Sequence, residues 1–176
     1  AHVLVNQSTL VDILGSDVTG AELRLTRTLD SQIAGHKMGI SYIDNSTVSG
    51  NGIYAASILG SGVGGDRFNL SHIDQSVLNG SSSMIGFLVD SLFDSTDDNH
   101  RYITSSNGQS NGSQFTHVYS SALMADDTDV SMMDQSTITG RNGYFTHVYD
   151  AQLNGDNGMA MSVMNSTIDG DDSLLM

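Results

Sequence analysis

Two kinds of residue in this 176-residue chain have the chemistry of a reactive or metal-binding site. The first is histidine. The segment FTHVY occurs at 115–119 and again at 145–149, placing His117 two residues before Tyr119 and His147 two before Tyr149. An imidazole held next to a carboxylate can act as a general base near neutral pH. The second is aspartate. Asp66, Asp97, Asp98, Asp126, Asp127, Asp156, Asp171 and Asp172 recur in short acidic runs, and a hard cation such as Ca²⁺ takes several carboxylate oxygens at once. Which of these groups meet depends on the elements that carry them.

The two FTHVY copies start 30 residues apart, and the whole chain keeps half that interval. Divided every 15 residues from Ala1, it falls into twelve rows, the last partial, with no insertion or deletion. Position 1 is Ser in ten rows, from Ser16 to Ser166, and Ala in the other two, Ala1 and Ala151. Position 3 is apolar from Val3 to Ile168 except at Gly108, and position 13 from Ile13 to Val163 except at Thr28. Position 5 is mostly Gly, and position 10 mostly Leu, Ile, Phe, Val or Ala. The unit is too short for a helical hairpin or a leucine-rich repeat. The period is not helical, and β-branched apolar residues favour strands.

Such a unit suits one turn of a parallel β-solenoid with three short sides. The pattern puts positions 1 and 3 inward on one side, 8 and 10 on a second, and 11 and 13 on a third. Asp, Asn, Gln, Gly or Ser at position 15 turns one corner, and Gly at position 5 gives the backbone freedom for the next. The position-1 serines form an internal ladder whose hydroxyls bond a neighbouring rung or a carbonyl. The prediction is all-β: one domain over 1–176, a parallel β-helix (β-solenoid) of about twelve 15-residue triangular rungs, a rod on the order of 55 Å long at about 4.8 Å per rung.

Composition narrows the partners. Twenty acidic against six basic residues give a net charge of −14, which argues against nucleic acid or an anionic membrane. No apolar run is long enough for a transmembrane helix. Cysteine is absent, so there is no disulfide frame, a habit common among exported bacterial surface proteins. The expected location is extracellular or at the cell surface. Asn6, Asn45, Asn69, Asn79, Asn111 and Asn165 open N-x-S/T sequons.

The runs ISYIDNSTVSG (40–50) and SHIDQSVLNG (71–80) resemble rungs of the 15-residue β-helical insect antifreeze proteins of the spruce budworm type. Those have inward aliphatics, an inward Ser and an Asp/Asn corner. The resemblance implies the fold, and it makes ice binding an alternative function. It does not extend to that family's outward Thr-x-Thr ladder or its disulfides: Thr26 with Thr28, and Thr137 with Thr139, are isolated pairs. In its Ser/Gly/Asn/Asp-rich style the chain also resembles passenger solenoids of bacterial autotransporters and adhesins, whose turns are usually longer.

On this frame the acidic residues fall at positions 6 to 8, a corner where neighbouring rungs bring carboxylates within reach of one Ca²⁺. The calcium-binding nonapeptide of β-rolls is missing, and the plain alternative is a charged corner that keeps the rod soluble. His72, His117 and His147 fall at outward position 12 with Tyr42, Phe87 and Tyr102; Tyr119 and Tyr149 lie beside them. Together they form a contact face for another protein, a glycan, a host surface or a neighbouring rod. His117 and His147 stand two rungs, about 10 Å, apart, too far to share a metal directly. No nucleophile or oxyanion set accompanies them and no insertion builds a cleft, so the expected function is non-enzymatic. The repeat runs from the first residue to Met176 with no evident cap. This leads to an expected homo-oligomer or fibre formed by rung stacking through Val3, Val5, Leu174, Leu175 and Met176, or to a stretch of a longer adhesin passenger. The function expected is that of an extracellular, self-associating fibre subunit or adhesin stalk.

Overall fold

The computed structural model describes residues 1–171 and 174–175, for Leu175 the backbone alone. Its strands pair in parallel at one fixed offset. Val3 faces Val18, Val48 faces Val63, Phe93 faces Gly108 and Leu153 faces Ile168. The chain is therefore a β-solenoid with one rung per repeat, as the periodicity predicts. Rungs are numbered in chain order, rung 1 covering 1–15. In rungs 3 and 4 single strands, Gln32–Asp44 and Thr47–Leu59, run through most of the turn.

Two corners are left-handed. φ is positive at position 15 in every rung from Gly15 to Asn165, and at position 7 from Gln7 to Asn157. This conformation costs an ordinary L-residue about 1–2 kcal/mol, least for Gly, Asn and Asp. Main-chain bonds to the following rung hold it in place: Glu22 N–H donates to the His36 carbonyl at 2.8 Å and Asn45 N–H to the Leu59 carbonyl at 3.1 Å. The second corner thus lies two residues beyond the expected glycine. At position 5 the expected backbone freedom is used at Gly50, Gly65, Gly155 and Gly170, whose φ is positive, and the glycines of this column answer a second need as well. The strand passes so close to the preceding rung that a Cβ on Gly50 would collide with the carbonyl oxygen of Gly35, and one on Gly65 with that of Gly50.

The third side also differs from expectation. Position 11 was expected inward, yet Ser41, Ser71, Arg101, Thr116 and Ser131 are exposed. Pairing skips this position, running from Ile85–His100 directly to Phe87–Tyr102. A bend at positions 11 and 12 resets the alternation, so the short third side buries position 13 alone.

The core is a stack of layers in register. At position 13, Ile43, Ile58, Ile73 and Leu88 are fully buried, one above another. At position 1, each serine hydroxyl donates to the carbonyl two residues earlier and accepts the N–H of the preceding rung's position 1. For Ser61 these are the Leu59 carbonyl at 2.6 Å and Ser46 N–H at 3.1 Å. The ladder is unbroken from Ser16 to Ser136. Core volume is traded between positions. Position 8 carries Leu23, Met38, Ile53 and Phe68, then turns small and polar at Ser83, Ser113 and Thr128. Rings at Phe93, Phe115 and Phe145 fill the space, and a Cβ at Gly108 or Gly143 would overlap the ring of Phe93 or Phe145.

Replacing Ser61 with Ala leaves the buried N–H of Ser46 without its acceptor. The expected loss is about 1–3 kcal/mol of unfolding free energy, read from the urea midpoint at unchanged m-value, whereas Ser41→Ala on the exposed bend should stay within about 0.5 kcal/mol.

Candidate functional site

Position 12 rides on the outward bend, and in-register pairing stacks its side chains. His72, Phe87, Tyr102, His117, Met132 and His147 follow one another on successive rungs. The rings of Phe87 and Tyr102 lie 4.9 Å apart at 7°, those of Tyr102 and His117 4.7 Å apart at 16°, and His72 tilts against Phe87 at 6.3 Å. These separations match or modestly exceed the rung pitch, so the sheet itself imposes the stack. Phe87 is 46 % exposed, and Tyr102 and Met132 38 % each. Tyr42 stands apart from this run, separated from His72 by Ser57, with its hydroxyl 3.5 Å from Asp44. Tyr119 and Tyr149 lie at position 14, Tyr149 with its ring 6.4 Å from that of His147. The predicted contact face is thus contiguous from His72 to His147, with Tyr42 an outlier.

The acidic corner carries hydrogen bonds between rungs. Asp126 Oδ1 accepts the backbone N–H of Arg141 at 2.7 Å, and its Oδ2 accepts the Arg141 guanidinium at 3.2 Å. These contacts, the backbone one foremost, hold its carboxyl below the usual aspartate range. The stabilisation is therefore complete above that range and is lost as pH falls through the lowered value. Asp127 accepts from Asn142, Asp156 from the N–H of Asp171, and Asp66 from Ser81. The asparagines at position 6 behave alike: Asn6, Asn51 and Asn111 accept the N–H of the next rung's position 6. These side chains carry the inter-rung hydrogen bonding around the corner. Asp97 occupies the left-handed position and is exposed. Asp172 lies outside the described residues. Among the described residues, no three His, Cys, Asp or Glu side chains converge on a metal-sized site.

Asp98 is not at that corner. It points inward and is buried, with its Oδ2 3.5 Å from Nε2 of a fully buried His100. Its Oδ1 accepts the N–H of Ser83, and its own N–H donates to Ser113, whose hydroxyl is in close contact with that of Ser110. His100 sits between the rings of Phe93 and Phe115, at 5.1 and 5.0 Å. Asp98 Oδ2 and both imidazole nitrogens lack a hydrogen-bond partner. Phase in the repeat was the available signal: these are the sole acidic side chain at position 8 and the sole histidine at position 10.

The remaining predicted residues scatter. Val3 and Val5 are half-buried in rung 1, paired with Val18 and Gly20. Leu174 pairs with Met159 and is exposed, at the far end of the stack. The side chain of Leu175, and Met176, lie outside the described residues. Thr28 points inward with a buried, unpartnered hydroxyl, so it makes no outward pair with Thr26. Thr137 and Thr139 do point the same way.

No protein-family model and no curated protein matches this chain. Among solved structures, it is similar to the Streptococcus pneumoniae surface protein and adhesin PfbA, at 6 % identity over 93 % of this chain and 74 % of that one, with a TM-score of 0.27. It is also similar to the plasmid-mediated fluoroquinolone resistance protein QnrB1, at 10 % identity, 100 % and 92 % coverage and a TM-score of 0.30. A third is the catalytic domain of a GH87 alpha-1,3-glucanase, at 6 % identity, 98 % and 61 % coverage and a TM-score of 0.28. At these identities and scores no activity carries over.

The buried pair sets up a stability prediction with opposite signs. His100→Leu alone strands a buried carboxylate and should cost about 3–5 kcal/mol. Asp98→Ser with His100→Leu restores the chemistry of neighbouring rungs and should be neutral or stabilising by roughly 1–4 kcal/mol. Chemical denaturation of the two variants distinguishes them.

Proposed function

We propose that this chain is a non-enzymatic structural rod of an extracellular or cell-surface assembly, a stalk or fibre subunit that associates with copies of itself. The observation that carries the reading is the position-12 stripe. Solvent-facing aromatic rings at consecutive rungs form one linear, preorganised apolar surface on an otherwise acidic rod. Rings already stacked lose little conformational entropy on contact, and exposed contiguous apolar surface favours association. The titratable groups elsewhere support the same reading. The carboxylates of Asp66, Asp126, Asp127 and Asp156 are engaged in inter-rung bonding, and the Asp98–His100 pair is sealed in the core. Rung geometry also favours end-to-end growth. Any further rung of this pattern, from more of the same chain or from a second copy, continues the same hydrogen-bond ladders.

Sedimentation velocity and electron microscopy over a concentration series test the proposal. The expected result is concentration-dependent rods or bundles that a Phe87→Ser, Tyr102→Ser double variant weakens at least tenfold without loss of fold. Monomers at every concentration, in both proteins, would contradict it.

A further inference from the structure

A second surface feature lies on the face formed by positions 2 and 4. A shallow cavity of about 510 Å³ runs across rungs 6 to 10, within the range of small-molecule sites. Its apolar part comes from Val77, Leu92 and Met124, each more than half exposed. Between them stand Asn79, Asp94, Asn107 and Gln109. Unlike the position-6 asparagines, which are used within the fold, none of these four makes a side-chain hydrogen bond to another described residue. Their amides and carboxylate are therefore free to bond an external partner.

We infer that this cavity binds a neutral, linear oligosaccharide. Three features select that class. Amide and carboxylate groups offer both donors and acceptors to sugar hydroxyls, and a carboxylate or amide can span two neighbouring hydroxyls. Leu92, Val77 and Met124 offer apolar surface to the C–H faces of a pyranose. Asp94, the sole charged group lining the cavity, and the net charge of −14 disfavour an acidic chain. The geometry suits a polymer: the lining recurs at the rung pitch of about 4.8 Å, comparable to the advance of one sugar unit in an extended chain. Rungs 6 and 7 each present an apolar and a polar side chain, Val77 with Asn79 and Leu92 with Asp94, rung 8 presents two amides, Asn107 and Gln109, and rung 9 presents Met124. The site lies on a different side of the rung from the position-12 stripe, so the two readings stand separately.

The test uses the whole chain, ¹⁵N-labelled and titrated with cellohexaose, xylohexaose, mannohexaose and laminarihexaose in turn. At least one should shift the side-chain amide signals of Asn79, Asn107 and Gln109 in a saturable way. The Asn107→Ala, Gln109→Ala double variant should weaken that binding roughly tenfold at unchanged melting temperature, while Tyr102→Ser leaves it unaltered. The inference is overturned if none of the four sugars shifts these amides at millimolar concentration. It is also overturned if the shifts map to the position-12 stripe, or if the double variant binds as wild type.

Discussion

The register of fifteen residues between paired strands governs everything else in this molecule. Each rung is too thin to enclose a core, and its backbone groups find partners only in the rungs before and after it. One inserted residue would move inward side chains outward along the rest of a side. The left-handed residues at positions 7 and 15 are tolerated because their N–H groups bond to the following rung. The serine ladder applies the same offset inside the core, joining one rung's N–H to the next rung's hydroxyl.

Within that constraint the core varies by exchange. Where position 8 shrinks from Phe68 to Ser83 and beyond, rings appear at positions 3 and 10, and glycines at Gly108 and Gly143 make room for them. Asp98 and His100 sit where this exchange is least complete, with three buried polar atoms that lack a hydrogen bond. A buried pair of this kind is poor support for stability but distinguishes one rung from its near-identical neighbours. The outward positions are free of these demands, which is why an aromatic stripe and an amide-lined cavity can occur on different sides of one rod.

Much of this was legible in the sequence because period and burial are linked. The position-1 serines, the apolar residues at 3, 10 and 13, and the corner at 15 all follow from phase alone. The corner at position 7 was hidden because Glu22, Lys37 and Arg67 adopt a left-handed backbone that their residue types do not advertise. Position 11 misled because small Ser and Thr residues suit an outward bend as well as a narrow interior. Asp98 misled by standing next to Asp97: adjacent residues in one acidic run face opposite ways. The bonding of Asp126 and Asn111 around the corner depends on side-chain reach, which periodicity does not encode.

Removal of whole and broken periods shows whether the fifteen-residue register holds the fold together. Deleting residues 46–60 takes out one complete rung and joins Asn45 to Ser61 in phase. The expected product is a cooperative, parallel-β protein shortened by one rung pitch, about 4.8 Å, in small-angle X-ray scattering. Deleting 47–60 instead breaks the phase and should abolish cooperative unfolding. Two deletions of equal stability, or loss of the fold on removing the intact period, would contradict that role of the register.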